Sequence, residues 1–325
     1  MEYRQFGYSG LRVPLIGLGG NTFGKHLQFG KFNDQAATTS IINRAEELGV
    51  NFIDTGDIYA AGESERYIGH AIAGKRSKFI IASKVGLPFG DGPNDTGLSR
   101  FHIMNSIEGS LTRLHTDYVD IYYAHRPDLC TPIEETLRAF DDLVRQGKVR
   151  YVGCSNYSGW QIAHANQIAK EHHYASFAVS QSPYNLIERE IESEIVPACS
   201  YYGMSIVAYW PLAQGVLAGR YRADEPISPA SRAWQNPSKP LLRQLSRPNL
   251  RLAGHLAEWA NRQGHLPSEL AIAWLASKPY VCSILIGVTS IEQLSGNVQA
   301  LGWTLTERQV IEIDEMVAGS KDSPT

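Results

Sequence analysis

The feature that most constrains the fold of this chain is a rhythm. From residue 15 onward, short apolar runs alternate with longer amphipathic ones. Residues 15–18, 51–54, 78–84, 118–124, 149–154, 177–181, 205–210 and 281–286 read as strands. Residues 34–48, 63–73, 99–115, 132–146, 158–172 and 191–202 read as the helices between them. Residues 249–263 and 267–277 precede the last strand, and 291–300 and 306–317 follow it. Asp34 suits an N-cap and Gly49 a C-terminal stop, and Pro132 sits at a first turn. Strands separated by helices return in the same direction, so the sheet is expected to be parallel. A (β/α)8 barrel, an α/β fold, is the first choice, and a doubly wound sheet is the rival. The rival normally carries G-x-G-x-x-G after its first strand. Gly17-Leu18-Gly19-Gly20-Asn21-Thr22 begins that pattern but ends it in Thr22, and no helix follows directly. The barrel is therefore expected, as a single domain over residues 1–325. Its 43% hydrophobic content is ample for one large core. The opening residues alternate, turn at Ser9-Gly10 and resume at Leu11, which predicts an N-terminal β-hairpin that plugs the barrel bottom. Extra helices close the C-terminus. Residues 211–248, rich in Pro, Ser and Ala, form a connection long enough to serve as a lid.

Charge and cysteine usage narrow the partners. A net charge of -3 carries no electrostatic footprint for nucleic acid. Cys130, Cys154, Cys199 and Cys282 lie far apart with no paired spacing, which favours a reducing cytoplasm over a disulfide framework. The first residues lack a secretory core and no apolar run reaches membrane-spanning length, so a cytoplasmic protein without a membrane partner is expected. No metal site is expected: His172 and His173 are adjacent and have no ligand-spaced companions.

Four side chains fall at or just past strand ends: Asp54, Tyr59, Lys84 and His125. Singly, each has a bland reading. Asp54 can cap a turn, Tyr59 is one of 16 tyrosines, Lys84 can be a surface lysine and His125 can open a loop. Jointly, a parallel barrel places all four on the face where such folds carry chemistry. The set suits protonation of a carbonyl oxygen while another agent delivers hydride. A free phenol has a pKa of about 10, and a nearby ammonium is expected to lower it. Asp54 can hold Lys84, and His125 can hydrogen-bond a substrate oxygen.

At this point the chain resembles the aldo-keto reductase superfamily, in its bacterial and potassium-channel β-subunit-like branches. The resemblance rests on residues 51–59 (NFIDTGDIY), Ala82-Ser83-Lys84, His125-Arg126-Pro127-Asp128, residues 153–157 (GCSNY), residues 181–185 (QSPYN), residues 208–215 (AYWPLAQG) and residues 286–290 (IGVTS). It covers nearly the whole chain. It implies a TIM barrel with a nicotinamide cofactor extended across the mouth. Tyr59 becomes the proton donor, tuned by Lys84 and Asp54, with His125 orienting the carbonyl. Ser155, Asn156 and Gln181 hold the carboxamide, Asp54 lies beside it, and Tyr209 stacks under the ring. Pro211, Leu212, Gln214, Gly215 and Leu217 line the pyrophosphate, Trp210 also meets the cofactor and narrows the pocket, and Arg220 supplies charge. The bland reading is that Gly215 and Gly219 only permit a turn. Gly20, Asn21 and Thr22 touch the cofactor or pocket. Ile286, Gly287, Val288, Thr289, Ser290, Gln293 and Asn297 meet the adenosine end. Many relatives place a cation after the last strand to grip a 2'-phosphate, and here Thr289 and Ser290 stand without one. NADP is the expected cofactor, with NAD as the alternative.

The implied reaction is reduction of an aldehyde or ketone to an alcohol, or its reverse, on a small-molecule substrate. Phe23, Phe89, Tyr59, His125, Arg126 and Trp210 are the expected substrate-pocket residues, although Phe23 and Phe89 can equally pack within loops. A redox-sensing module that reports bound cofactor to a partner protein is the alternative function. A homo-oligomer is compatible with the sequence.

Overall fold

The computed structural model describes residues 1–25, 32–229, 231–235 and 237–321. A hairpin of β1 (Tyr3–Gln5) and β2 (Arg12–Pro14) comes first. Then follow β3 (Ile16–Gly19), α1 (Gln35–Glu47), β4 (Phe52–Asp54), α2 (Glu63–Ala71), β5 (Ile80–Val85), α3 (Arg100–Leu114), β6 (Val119–Ala124), α4 (Ile133–Arg145), β7 (Val149–Ser155), α5 (Gly159–His172), β8 (Val179–Pro183), α6 (Ile195–Tyr201) and β9 (Ser205–Tyr209). The segment after β9 contains two short helices, α7 (Arg232–Gln235) and α8 (Lys239–Gln244). The chain continues through α9 (Arg247–Arg262), α10 (Pro267–Ala276), β10 (Val281–Ile286), α11 (Ile291–Gln299) and α12 (Glu307–Lys321).

The eight strands β3 to β10 close into a parallel barrel in chain order, β10 pairing β3. The doubly wound alternative is thereby excluded. Residues Gly20–Thr22 form one 3-10 turn, so no long helix follows the glycine run. Local capping explains several boundaries. The Asp34 carboxylate accepts the Ala37 N–H at 2.8 Å, and Gly49 follows α1 at φ 77°. Ser246 caps α9, with a proline in its first turn, so this helix begins two residues before the expected 249.

Strand alternation sorts side chains into two cores. Outward residues such as Ile53, Ile81, Tyr122 and Val152 join the layer between barrel and helices. Inward residues Phe52, Ala82, Ile121, Tyr123, Val179, Val207, Cys282 and Leu285 fill the lumen, together with Phe6 and Val13 from the hairpin. The hairpin therefore plugs the lumen. Arg4 staples it, donating to the carbonyls of Ala276, Lys278 and Val281 at 2.6, 3.0 and 2.9 Å. Gly153 is required by packing: a Cβ there would lie 2.6 Å from the Tyr123 ring. Cys154, Cys199 and Cys282 are buried free thiols and Cys130 is exposed. Among the described residues, no helix is long and apolar enough to cross a membrane.

Candidate active site

The same alternation that fills the lumen also builds its mouth. Two residues beyond Phe52, Ala82, Tyr123, Val179 and Val207 on the inward face come Asp54, Lys84, His125, Gln181 and Tyr209. Tyr59 reaches the same place from the loop after β4. Its N–H donates to Gly56 at 3.0 Å, and the next residues, Ala60 and Ala61, turn sharply at φ 50° and 53°. Non-glycine residues at positive φ also include Asn156 after β7, and Trp210, Ala213 and Gln214 after β9. These costly backbone conformations gather in segments leaving strand C-termini, where strain marks functional loops.

The four expected side chains converge. Lys84 is fully buried. Its ammonium donates to the Asp54 carboxylate, to the Thr55 carbonyl at 2.7 Å and to the Tyr59 hydroxyl at 3.1 Å. Gln181 donates to the other Asp54 oxygen at 2.7 Å. The His125 ring meets the Tyr59 ring edge-on, with centroids 5.9 Å apart. His125 is anchored through its backbone N–H to the Val85 carbonyl at 2.8 Å, and its buried Nδ1 has no partner among the described residues.

Burial governs the electrostatics. It opposes charge on Lys84, but Asp54 and Tyr59 outweigh it and hold the ammonium above its ordinary value. Burial pushes Asp54 up, against the pull of Lys84 and Gln181. Burial also pushes the Tyr59 phenol above its ordinary value, and the Lys84 attraction does not cancel it. The expected net lowering of Tyr59 is thus reversed, because desolvation of a phenolate exceeds the help of one ammonium. His125 is held well below the usual imidazole range by burial, Lys84 and Arg126, so its ring is neutral.

Around this cluster, Asn156 donates to the His125 carbonyl at 3.0 Å and accepts from the Tyr209 hydroxyl at 2.7 Å. Ser155 donates to the Gln181 carbonyl at 3.0 Å. Tyr209 is half-buried, with the Trp210 ring edge-on at 5.1 Å. Pro211, Gly215 and Leu217 are buried, while Leu212 and Gln214 are half-buried. Gly215 has φ 105°. The Gln214 amide Nε2 is buried and has no partner among the described residues, a donor that fits an anionic group such as a phosphate. Arg220 is exposed. Thr22 ties the loop after β3 to the loop after β10 by donating to the Val288 carbonyl at 2.9 Å. Ile286 is buried and Gly287 exposed. A Cβ at Gly287 would meet Asn21 and Thr22 at 3.2 Å. Gly20 is enclosed by the Asp54 carbonyl and Ser64. Gln293 accepts from Thr289 N–H at 3.0 Å, Ser290 caps α11, and Asn297 is half-buried on that helix.

Phe23 and Phe89, two of the expected pocket residues, both make packing contacts. Phe23 is fully buried in the layer between barrel and helices and is not brought to the mouth. Its backbone forms an isolated parallel bridge with Asn33, through the Asn33 N–H to the Thr22 carbonyl at 2.9 Å and the Gly24 N–H to the Asn33 carbonyl at 3.0 Å. Phe89 is half-buried beneath the Arg113 guanidinium, 4.7 Å from its ring. Arg126 is exposed beside His125. Conversely, the sequence did not single out Arg232. This half-buried residue on α7 donates to Gln214 at 3.2 Å, and burial and Arg220 lower its pKa. Asp57 was also missed, although it stands two positions before Tyr59 and is wholly buried.

Comparison with known proteins supplies the rest. The family model described as "Aldo/keto reductase family" matches residues 15–318. A probable voltage-gated potassium channel subunit beta of Oryza sativa subsp. japonica is 36% identical, over 100% of this chain and 99% of the relative. An L-glyceraldehyde 3-phosphate reductase of Escherichia coli (strain K12) is 33% identical, over 98% and 93%. The uncharacterized oxidoreductase YrpG of Bacillus subtilis (strain 168) is 32% identical, over 98% and 97%.

Proposed function

The chain belongs to the aldo/keto reductase family and is an oxidoreductase, and we propose that it uses NADPH to reduce an aldehyde or ketone, with Tyr59 as the proton donor. One observation carries this reading: the Lys84 ammonium touches Asp54, the Thr55 carbonyl and, at 3.1 Å, the Tyr59 hydroxyl at the barrel mouth. A reduced nicotinamide, when bound, supplies the hydride. Tyr59 supplies the proton. Burial keeps the phenol protonated near neutrality, as a general acid requires. When its proton moves to the carbonyl oxygen, the phenolate left behind faces an ammonium already fixed by Asp54. Charge is thus stabilised where it develops, without reorganisation. His125, neutral, offers a hydrogen bond to the same carbonyl oxygen. The reverse proton path serves alcohol oxidation.

Ser155, Asn156, Gln181 and Tyr209 form one hydrogen-bonded group beside the tetrad and would hold the nicotinamide end. Gln214 and the backbone around Gly215 would hold the pyrophosphate. Thr289, Ser290, Gln293 and Asn297 would meet the adenosine. The case for NADP over NAD rests on Arg220 and Arg232, two cations interacting beside Gln214 that offset the missing cation after β10. The working location we propose is the cytoplasm.

The test is reduced-cofactor consumption with NADPH and with NADH over a carbonyl panel that includes small phosphorylated aldehydes, for wild type and Tyr59→Phe. Loss on the order of 10²–10⁴-fold in the variant is expected. Turnover that survives the substitution would show that another group donates the proton. A second reading, in which bound cofactor reports to a partner protein, is favoured by the relatives named as potassium channel β subunits. A stable partner recovered together with negligible turnover on the panel would put that reading first.

A further inference from the structure

Asp57 is fully buried, yet among the described residues it has no ion-pair partner of the kind a buried carboxylate usually needs. One carboxyl oxygen accepts the N–H of the next residue, Ile58, at 2.7 Å. The other, Oδ2, has no partner among the described residues. The backbone N–H of Asp57 points at the Lys84 carbonyl, 3.4 Å away, which pins it behind the tetrad. The charged and titratable groups around it come from four further elements. Glu65 on α2 is itself buried and accepts from Ser83 and from Arg113, each at 2.6 Å. Arg113 on α3 and Lys84 on β5 are the nearby cations. Tyr122 on β6 is held above its ordinary value by burial and by both acids, and its buried hydroxyl lacks a partner among the described residues. Tyr59 lies two residues along the same loop.

We infer that Asp57 is a positioning residue for the reaction: a buried acid that holds a proton behind Tyr59 and Lys84, and whose ionisation sets the field in which Tyr59 gives up its own. The inference rests on the reductase reading above. Its physical basis is the arrangement of charges. A carboxylate with one bare oxygen, facing the Glu65 anion in a dry site, is strongly disfavoured. A protonated Asp57 removes that cost and leaves Asp54 as the anion that opposes the Lys84 field on Tyr59. An ionised Asp57 adds a negative charge near the phenol and makes its ionisation harder. Burial and Glu65 hold the Asp57 carboxyl up to about 7, so both forms are accessible near neutrality. The site thereby gains a response to pH that the tetrad alone does not provide.

The bland alternative is that Asp57 merely shapes the turn through its bond to Ile58. Asp57→Asn separates the two, because the amide oxygen keeps that bond and only the titration is lost. Two readouts decide. In infrared spectra of the cofactor-free protein, wild type should show a protonated-carboxyl stretch that fades as pH rises through about 7. The band should be absent in Asp57→Asn, and Glu65→Gln should move its midpoint to lower pH. In the pH profile of NADPH-dependent carbonyl reduction, Asp57→Asn should shift the basic limb to lower pH, by on the order of one pH unit. Absence of an Asp57-dependent band, or superimposable wild-type and Asp57→Asn profiles, would overturn the inference. An inactive wild type that retains the band and its Glu65 response would instead fail the reductase reading alone, leaving the proton-holding acid established.

Discussion

Gln181 and Asp54, 127 residues apart, join across the barrel mouth through a 2.7 Å hydrogen bond. Their strands, β8 and β4, lie on opposite sides of the eight-strand ring. This bond occupies the one Asp54 oxygen that Lys84 does not take. It ties the charge pair to the Ser155–Asn156 group, since Gln181 also accepts from Ser155 through its backbone carbonyl. Gln181→Leu should leave a buried carboxylate oxygen unsatisfied. The expected loss is about 1–3 kcal/mol in urea unfolding, together with weaker cofactor binding in a fluorescence titration. Unchanged stability would mean that Asp54 finds another donor.

Breaking the ion pair from one side should cost more. Lys84→Met leaves Asp54 buried without its cation, for an expected loss of about 3–5 kcal/mol. Adding Asp54→Asn should restore part of this, because the uncompensated charge disappears. Urea midpoints for the two single variants and the double variant measure the coupling. Additive losses would show that the pair contributes no mutual stabilisation. Neither Lys84→Met nor the double variant should show turnover, since both lack the ammonium beside Tyr59.

Arg232 offers a test of cofactor choice. It contacts Gln214 and interacts with Arg220, in a segment whose connection from residue 211 to 248 was expected to act as a lid. Residues 230 and 236 of that connection lie outside the described residues. Arg232→Ala should weaken NADPH binding by about tenfold, the contribution of one charged hydrogen bond. It should also flatten the salt dependence of binding. If NADH weakens equally, the guanidinium serves the pyrophosphate; if NADH is unaffected, it serves the 2'-phosphate.

Stability should carry the signature of Asp57. Its folded pKa is raised from 3.8 to about 7. Between those values the folded chain keeps a proton that the unfolded chain releases. The contribution is fully present below the unfolded value and is lost as pH rises through about 7. Asp57→Asn should therefore be more stable than wild type above that pH, by on the order of a few kcal/mol. It should also lack the decline between those limits. Urea unfolding at pH 5, 6, 7 and 8 provides the check, and parallel pH curves for the two proteins would refute it.

The sequence by itself determined the barrel and the convergence of Asp54, Tyr59, Lys84 and His125. Both follow from one-dimensional periodicity: parallel strands with a two-residue alternation place consecutive strand ends on one face. What it did not determine depends on closure and burial. The turns at Ala60, Trp210 and Gln214 use ordinary side chains at positive φ, which no local preference announces. Phe23 reads equally as a pocket wall or as packed within a loop, and it lies fully buried in the outer core. The short helices α7 and α8 bring Arg232 to Gln214 from a stretch with little periodicity. The direction of the Tyr59 shift was likewise decided in three dimensions. Proximity to Lys84 is legible from motif order, but desolvation depends on what surrounds the phenol on every side, and only the packed barrel mouth sets that.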